Sequence, residues 1–131
     1  MNGKRLDFVA DTSAIVRLCR RDPQIEQQVQ GKVFAITFVT MAELLLGVLK
    51  AEKREAAWSQ VTKVLLGQHI FHVSPTTPMN YALIYYDLEQ RGLKIPVNDI
   101  WIAALAIEAD LPLLARDEHF ARVRGLAVIQ C

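Results

Sequence analysis

The 131-residue chain has the length of one domain and can bury a core without disulfides or a structural metal. Hydrophobic residues make up 52% of it and charged residues 22%, which excludes a disordered chain. Fifteen Lys plus Arg against fourteen Asp plus Glu leave a net charge of +1, so no global field marks a polyanion partner and local charge must decide.

Residues 6–10, LDFVA, read as a short buried strand that stops abruptly at Asp11. From Thr12 the apolar positions Ile15, Val16 and Leu18, interleaved with Arg17, Arg20 and Arg21, switch to helical spacing. Asp22 as N-cap and Pro23 at the first helical position start a second short helix reaching Gln30. KVFAITF (32–38) is the second strand. Residues 40–66 carry the patterning of two antiparallel helices, parted by the charged run Lys50 to Glu55. HIFHV (69–73) is a third strand, and a helix opening at Ser74 to Pro78 runs to the stop at Arg91-Gly92. Pro96, Asn98 and Asp99 open IWIAALAIEAD, which is apolar on nearly every side and so must be buried. LPLLA (111–115) and LAVIQ (126–130) are the last two strands, separated by RDEHFARVRG.

Strands alternating with helices require crossovers, and hence an α/β fold with a mostly parallel sheet covered on both faces. No linker or repeat divides the chain, so residues 1–131 are expected to form a single domain. Cys19 and Cys131 lie far apart and suit free thiols in a reducing compartment. No apolar run approaches the roughly 18 residues of a membrane span. Lys4, Arg5 and Asp7 precede the first apolar stretch, unlike a signal peptide, and the expectation is a soluble cytoplasmic protein.

Ligands of open α/β sheets gather outside the carboxyl ends of the strands, where loops converge and helix N-termini offer free N–H groups. Asp11 follows the first strand, Asp117 stands two residues beyond LPLLA, Asp99 opens the buried helix, and Glu43 lies in the first turn expected after the second strand. Four carboxylates from four junctions would meet at one edge. Helix capping is the competing account, since Asp is a preferred N-cap and TMAE (40–43) fits a capping box with Thr40 as cap. Yet surface helix starts have no reason to converge, and Glu43 and Asp99 sit in unusually apolar segments. Carboxylates confined together repel unless a cation neutralises them. A set without Cys or a nearby His favours a hard ion, Mg2+ or Mn2+ over Zn2+, and the natural use is metal-assisted phosphoryl chemistry.

At these residues the chain resembles the PIN-domain ribonucleases, most closely the VapC-type toxins of toxin–antitoxin modules. The match runs through FVADTSAI, TFVTMAELLLG and RGLKIPVNDIWIAALAIEADLPLLARDEHFARVRGLAVI, in that order and over nearly the whole chain. The resemblance implies a PIN-like three-layer α/β/α sandwich on a five-stranded sheet. It implies Asp11, Glu43, Asp99 and Asp117 as catalytic residues, with Asp11, Asp99 and Asp117 on Mg2+, which Mn2+ can replace. It further implies endonucleolytic cleavage of structured RNA, tRNA or rRNA among the candidates, to 5'-phosphate and 3'-hydroxyl ends, inhibition of translation, a small VapB-like antitoxin and a homodimer. One departure is Ala115, where many relatives carry Thr or Ser, which leaves a catalytically impaired RNA- or antitoxin-binding scaffold as the alternative.

Ser13 is the candidate hydroxyl beside Asp11, supporting that carboxylate or a metal-bound water, and Arg116, next to Asp117, is the candidate phosphate contact. Arg17, Arg20 and Arg21 form either a further phosphate rim or a solvated basic face. Trp101, Tyr81, Tyr85 and Tyr86 read as core or dimer contacts, His69 and His72 as structural, and His119 as a packing or capping residue, with contact to substrate as its alternative. A receiver domain would need a phosphoacceptor Asp and a strand-end Lys, whereas the third strand ends HVSP. A phosphatase with an Asp nucleophile would favour DxD over DTS.

Overall fold

The computed structural model describes residues 5–131. Its elements, in order, are β1 (Phe8–Ala10), α1 (Thr12–Cys19), α2 (Pro23–Val29), β2 (Phe34–Thr37), α3 (Phe38–Lys50), α4 (Arg54–Leu65), β3 (His69–Phe71), α5 (Thr77–Gln90), α6 (Val97–Glu108), β4 (Leu113–Ala115), a 3-10 turn (Glu118–Arg122) and β5 (Val128–Gln130). The five strands lie in the order β3-β2-β1-β4-β5, and every neighbouring pair is parallel. Each strand is shorter than its apolar run, and Leu111, just before β4, packs against the core without joining the ladder.

Alternation along these short strands feeds two cores. Phe8 and Ala10 of β1 and Leu114 of β4 face one side, where Ile15, Ile25, Leu44, Val48 and Val61 of α1 to α4 cover them. Val9, Leu113 and Ala115 face the other side, against Ile102 and Ala106 of α6 and the wholly buried Phe120. Helix α6 buries Ile100 and every residue from Ile102 to Ala106, as its all-round apolar sequence requires. Among the described residues no helix is long and apolar enough to cross a membrane, and both cysteines are free thiols.

Two expectations are corrected. Helix α3 begins at Phe38, directly after β2, with Thr37 as its N-cap and the Thr40 N–H donating to Thr37 Oγ1 at 3.3 Å. No loop separates strand from helix, so the cap falls on the last strand residue, the Thr40 capping box does not form, and Glu43 moves to the second turn. Arg17 is not a rim cation either. Its Nε donates to Asp22 Oδ2 at 2.8 Å and its Nη2 to Gln24, which ties α1 to the cap of α2. Arg21 likewise pairs with Glu26.

Candidate active site

The two central strands β1 and β4 are neighbours, and their carboxyl ends carry Asp11 and, two residues on, Asp117. The Asp11 N–H donates to Leu114 O at 2.9 Å, which locks the two ends together. Helix α6 brings Asp99 in its first turn and α3 brings Glu43, and all four acids line one open pocket of about 450 Å³. Thr12, Ser13, Pro96, Val97 and Asn98 complete its wall, with no Lys or Arg among the lining residues.

Asp11 is 2% exposed and caps α1. Its Oδ2 accepts from the Ser13 hydroxyl at 2.9 Å and the Ser13 N–H at 3.4 Å, while Oδ1 is buried with no hydrogen-bond partner. Burial raises its pKa, the Ser13 and Thr12 hydrogen bonds oppose that, and the Asp117 charge adds to the rise. Capping is thus real for Asp11 but leaves half its carboxylate unused.

Capping does not explain the other three. Asp99 is the third residue of α6, with Pro96 in the cap position and no side-chain cap bond. Its own place near a helix N-terminus favours the charged form. Burial and then the charge of Asp11 outweigh this and push its pKa up to about 6, although His119 pulls it down. Asp117 precedes the 3-10 turn and makes no cap bond there. Glu43 Oε1 accepts from Thr12 Oγ1 at 2.6 Å, and that hydroxyl is also 2.9 Å from Thr40 Oγ1, so two threonines fix the glutamate.

His119 changes the composition of the set. Its Nε2 lies 2.6 Å from Asp99 Oδ2, and one potential ligand atom each from Asp99, Asp117 and His119 falls within 4.8 Å of the other two. The premise of a set without a nearby His is overturned, and the ring that packs on Phe120 also meets an acid of the site. The only signal in the sequence was the spacing of Asp117 and His119, and nothing there reported Asp99 as the partner. Asp11 lines the same pocket without joining that tight trio.

Ser13 lies in the wall beside Asp11. Arg116 is exposed outside the pocket, its carbonyl accepting from Gln130 Nε2. Ala115 is fully buried in the core beneath and does not line the pocket, so a missing hydroxyl there removes nothing from the wall as built. An orphaned carboxylate oxygen, two carboxyls with raised pKa and a lining without a cation all fit a divalent ion.

Four acids gathered around one pocket at the carboxyl edge of a parallel sheet make a site whose donors suit a hard divalent ion. The chain belongs to the PIN domain family, whose profile matches residues 8–126. Among curated proteins it is 32% identical to Ribonuclease VapC4 of Mycobacterium tuberculosis over 98% of each chain. It is 27% identical to Ribonuclease VapC5 of the same organism over 93% of this chain and 91% of that one. Among solved structures it is similar to the VapBC2 complex of Rickettsia felis bound to a promoter DNA fragment. There the TM-score is 0.89 at 25% identity, covering 95% of this chain and 98% of that one. DNA-bound VapBC from Salmonella typhimurium shares the fold with a TM-score of 0.89 at 19% identity, over 96% and 98% of the two chains.

Proposed function

We propose that this chain is a divalent-metal-dependent endoribonuclease, the toxin of a toxin–antitoxin pair, which hydrolyses phosphodiester bonds in structured RNA and so inhibits translation in the cytoplasm. The observation that carries this reading is the pocket itself, four carboxylates with an unpartnered buried oxygen and no lining cation. The ribonuclease relatives that span the chain support the same chemistry.

Asp11, Asp99 and Asp117 would hold Mg2+ or Mn2+. When bound, the ion supplies positive charge at the scissile phosphate and lowers the pKa of water at the site. Ser13 holds Asp11 in place, and Glu43, fixed by Thr12, would orient the attacking water and take its proton. Arg116, exposed beside Asp117, would hold a phosphate flanking the cut. Neutralising it should weaken RNA binding across sequences and flatten the salt dependence.

The test is cleavage of total cellular RNA by the purified, antitoxin-free chain with Mg2+, with EDTA, and with Asp99→Asn in parallel. Discrete fragments requiring both the metal and Asp99 are expected. An intact RNA pool with folded protein across several divalent ions would instead favour the binding-only scaffold. Thr12→Val should lower the cleavage rate about tenfold, the worth of one hydrogen bond of about 1.4 kcal/mol, with Thr12→Ser restoring most of it. Equal rates for all three proteins would show that Glu43 needs no such tether.

The antitoxin would seat on α3 and α4, where Leu46, Leu49 and Trp58 are exposed beside Leu45. Leu46→Glu with Leu49→Glu is expected to weaken antitoxin binding at least tenfold in a titration while leaving RNA cleavage unchanged. The homodimer would form on the exposed stripe Met79, Leu83 and Tyr86 of α5.

A further inference from the structure

The carboxylate account leaves His119 without a task, although its ring touches the acidic wall at Asp99. Its position is fixed by packing. The residue lies on the 3-10 turn two places beyond Asp117, with Phe120 wholly buried behind it and the two rings 4.8 Å apart. Its Nε2 points at Asp99 Oδ2, and a ligand atom of each of Asp99, Asp117 and His119 fits within 4.8 Å of the other two. At bond lengths of about 2.1 Å, octahedral ligands stand roughly 3 Å apart when adjacent and roughly 4.2 Å apart when opposite. A trio held within 4.8 Å can be drawn onto one ion by side-chain adjustment alone. Independently, Asp11 is 2% exposed and leaves Oδ1 without a partner in the wall of the same pocket.

We propose that His119 is a nitrogen ligand of the metal, alongside Asp99 and Asp117, and that it makes the site prefer Mn2+ over Mg2+. The inference rests on the metal-dependent reading above and adds a ligand to it. On binding, the ion replaces the hydrogen bond between Nε2 and Oδ2, with the imidazole carrying its hydrogen on Nδ1. Mg2+ keeps to oxygen donors, whereas Mn2+ accepts an imidazole among carboxylates, so one nitrogen shifts the balance between them.

Pulsed electron paramagnetic resonance of the untagged full chain loaded with Mn2+ tests this. The spectrum should carry 14N modulation, which changes to the 15N pattern when the histidines are labelled with 15N, a readout that needs no variant. In His119→Gln the modulation should disappear. Mn2+ affinity should then fall roughly tenfold or more, while Mg2+ affinity, measured by competition, changes less than about threefold. Bound Mn2+ without nitrogen coupling would overturn the ligand assignment and leave His119 as a positioning partner of Asp99, with the nuclease reading intact. Coupling that survives His119→Gln would overturn it too. Failure of the wild-type chain to bind Mn2+ at all would overturn both the ligand assignment and the metal-dependent reading.

Discussion

Asp11→Asn is expected to abolish RNA cleavage and, in metal-free buffer near pH 7, to raise the thermal unfolding midpoint by several degrees. The two effects share one cause. Burial, reinforced by the charge of Asp117, lifts the Asp11 pKa above its ordinary 3.8, and burial followed by the charge of Asp11 lifts Asp99 to about 6. A carboxyl whose folded pKa is raised binds its proton more tightly in the folded state than in the unfolded one. Its favourable contribution is therefore present below the unfolded value and lost as pH rises through the folded one. For Asp99, only 16% exposed in its side chain, the rise corresponds to a cost on the order of 3 kcal/mol at neutral pH. Metal-free protein should accordingly lose stability from about pH 4 to above pH 6, and Asp11→Asn should flatten that fall. Asn keeps the α1 cap, since its carbonyl oxygen can still accept from Ser13. Adding Mn2+ or Mg2+ should reverse the order, stabilising the wild type and not the variant. Thermal unfolding with and without divalent ion measures all of this. A variant less stable than the metal-free wild type, with no stabilisation of the latter by metal, would mean that these acids are not held together at a cost.

Much of this arrangement could be read from residue pattern. Short apolar runs located five strands, and the all-round apolar stretch after Asp99 located the buried helix, because burial on both faces leaves little freedom in what those segments can be. The convergence of the acids followed from topology, since parallel strands put all their carboxyl ends on one edge. What escaped was set by contacts between distant residues. TMAE satisfies a local capping rule, but the cap is taken by Thr37, and Glu43 is instead fixed by Thr12, 31 positions away. His119 meets Asp99 across 20 positions, from a 3-10 turn too short to leave any periodicity. Arg17 looked like part of a free basic face, and only the turn between α1 and α2 reveals Asp22 as its partner. Local rules assigned the elements, while side-chain partners depended on how those elements pack.

Phe120→Ala is expected to destabilise the protein by about 3–5 kcal/mol, a large share of the roughly 5–15 kcal/mol typical of a domain. The ring is wholly buried among Val9, Val39, Ile102, Ala106, Leu113 and Ala115, so its removal loses transfer free energy and leaves a cavity that a β-sheet and a helix cannot close. A functional loss should come on top of the structural one. Phe120 is the anchor of the turn that presents Asp117 and His119, and without it neither side chain is held against Asp99. Cleavage at a temperature where the variant is still folded should therefore drop by at least tenfold, a cost of only about 1.4 kcal/mol in positioning. Phe120→Leu, which refills most of the space, should cost about 1–2 kcal/mol and keep most of the rate. Chemical denaturation together with initial cleavage rates on the two variants separates the contributions. If Phe120→Ala cleaves at the wild-type rate whenever it is folded, the turn holds its shape without the anchor, and the buried ring serves stability alone.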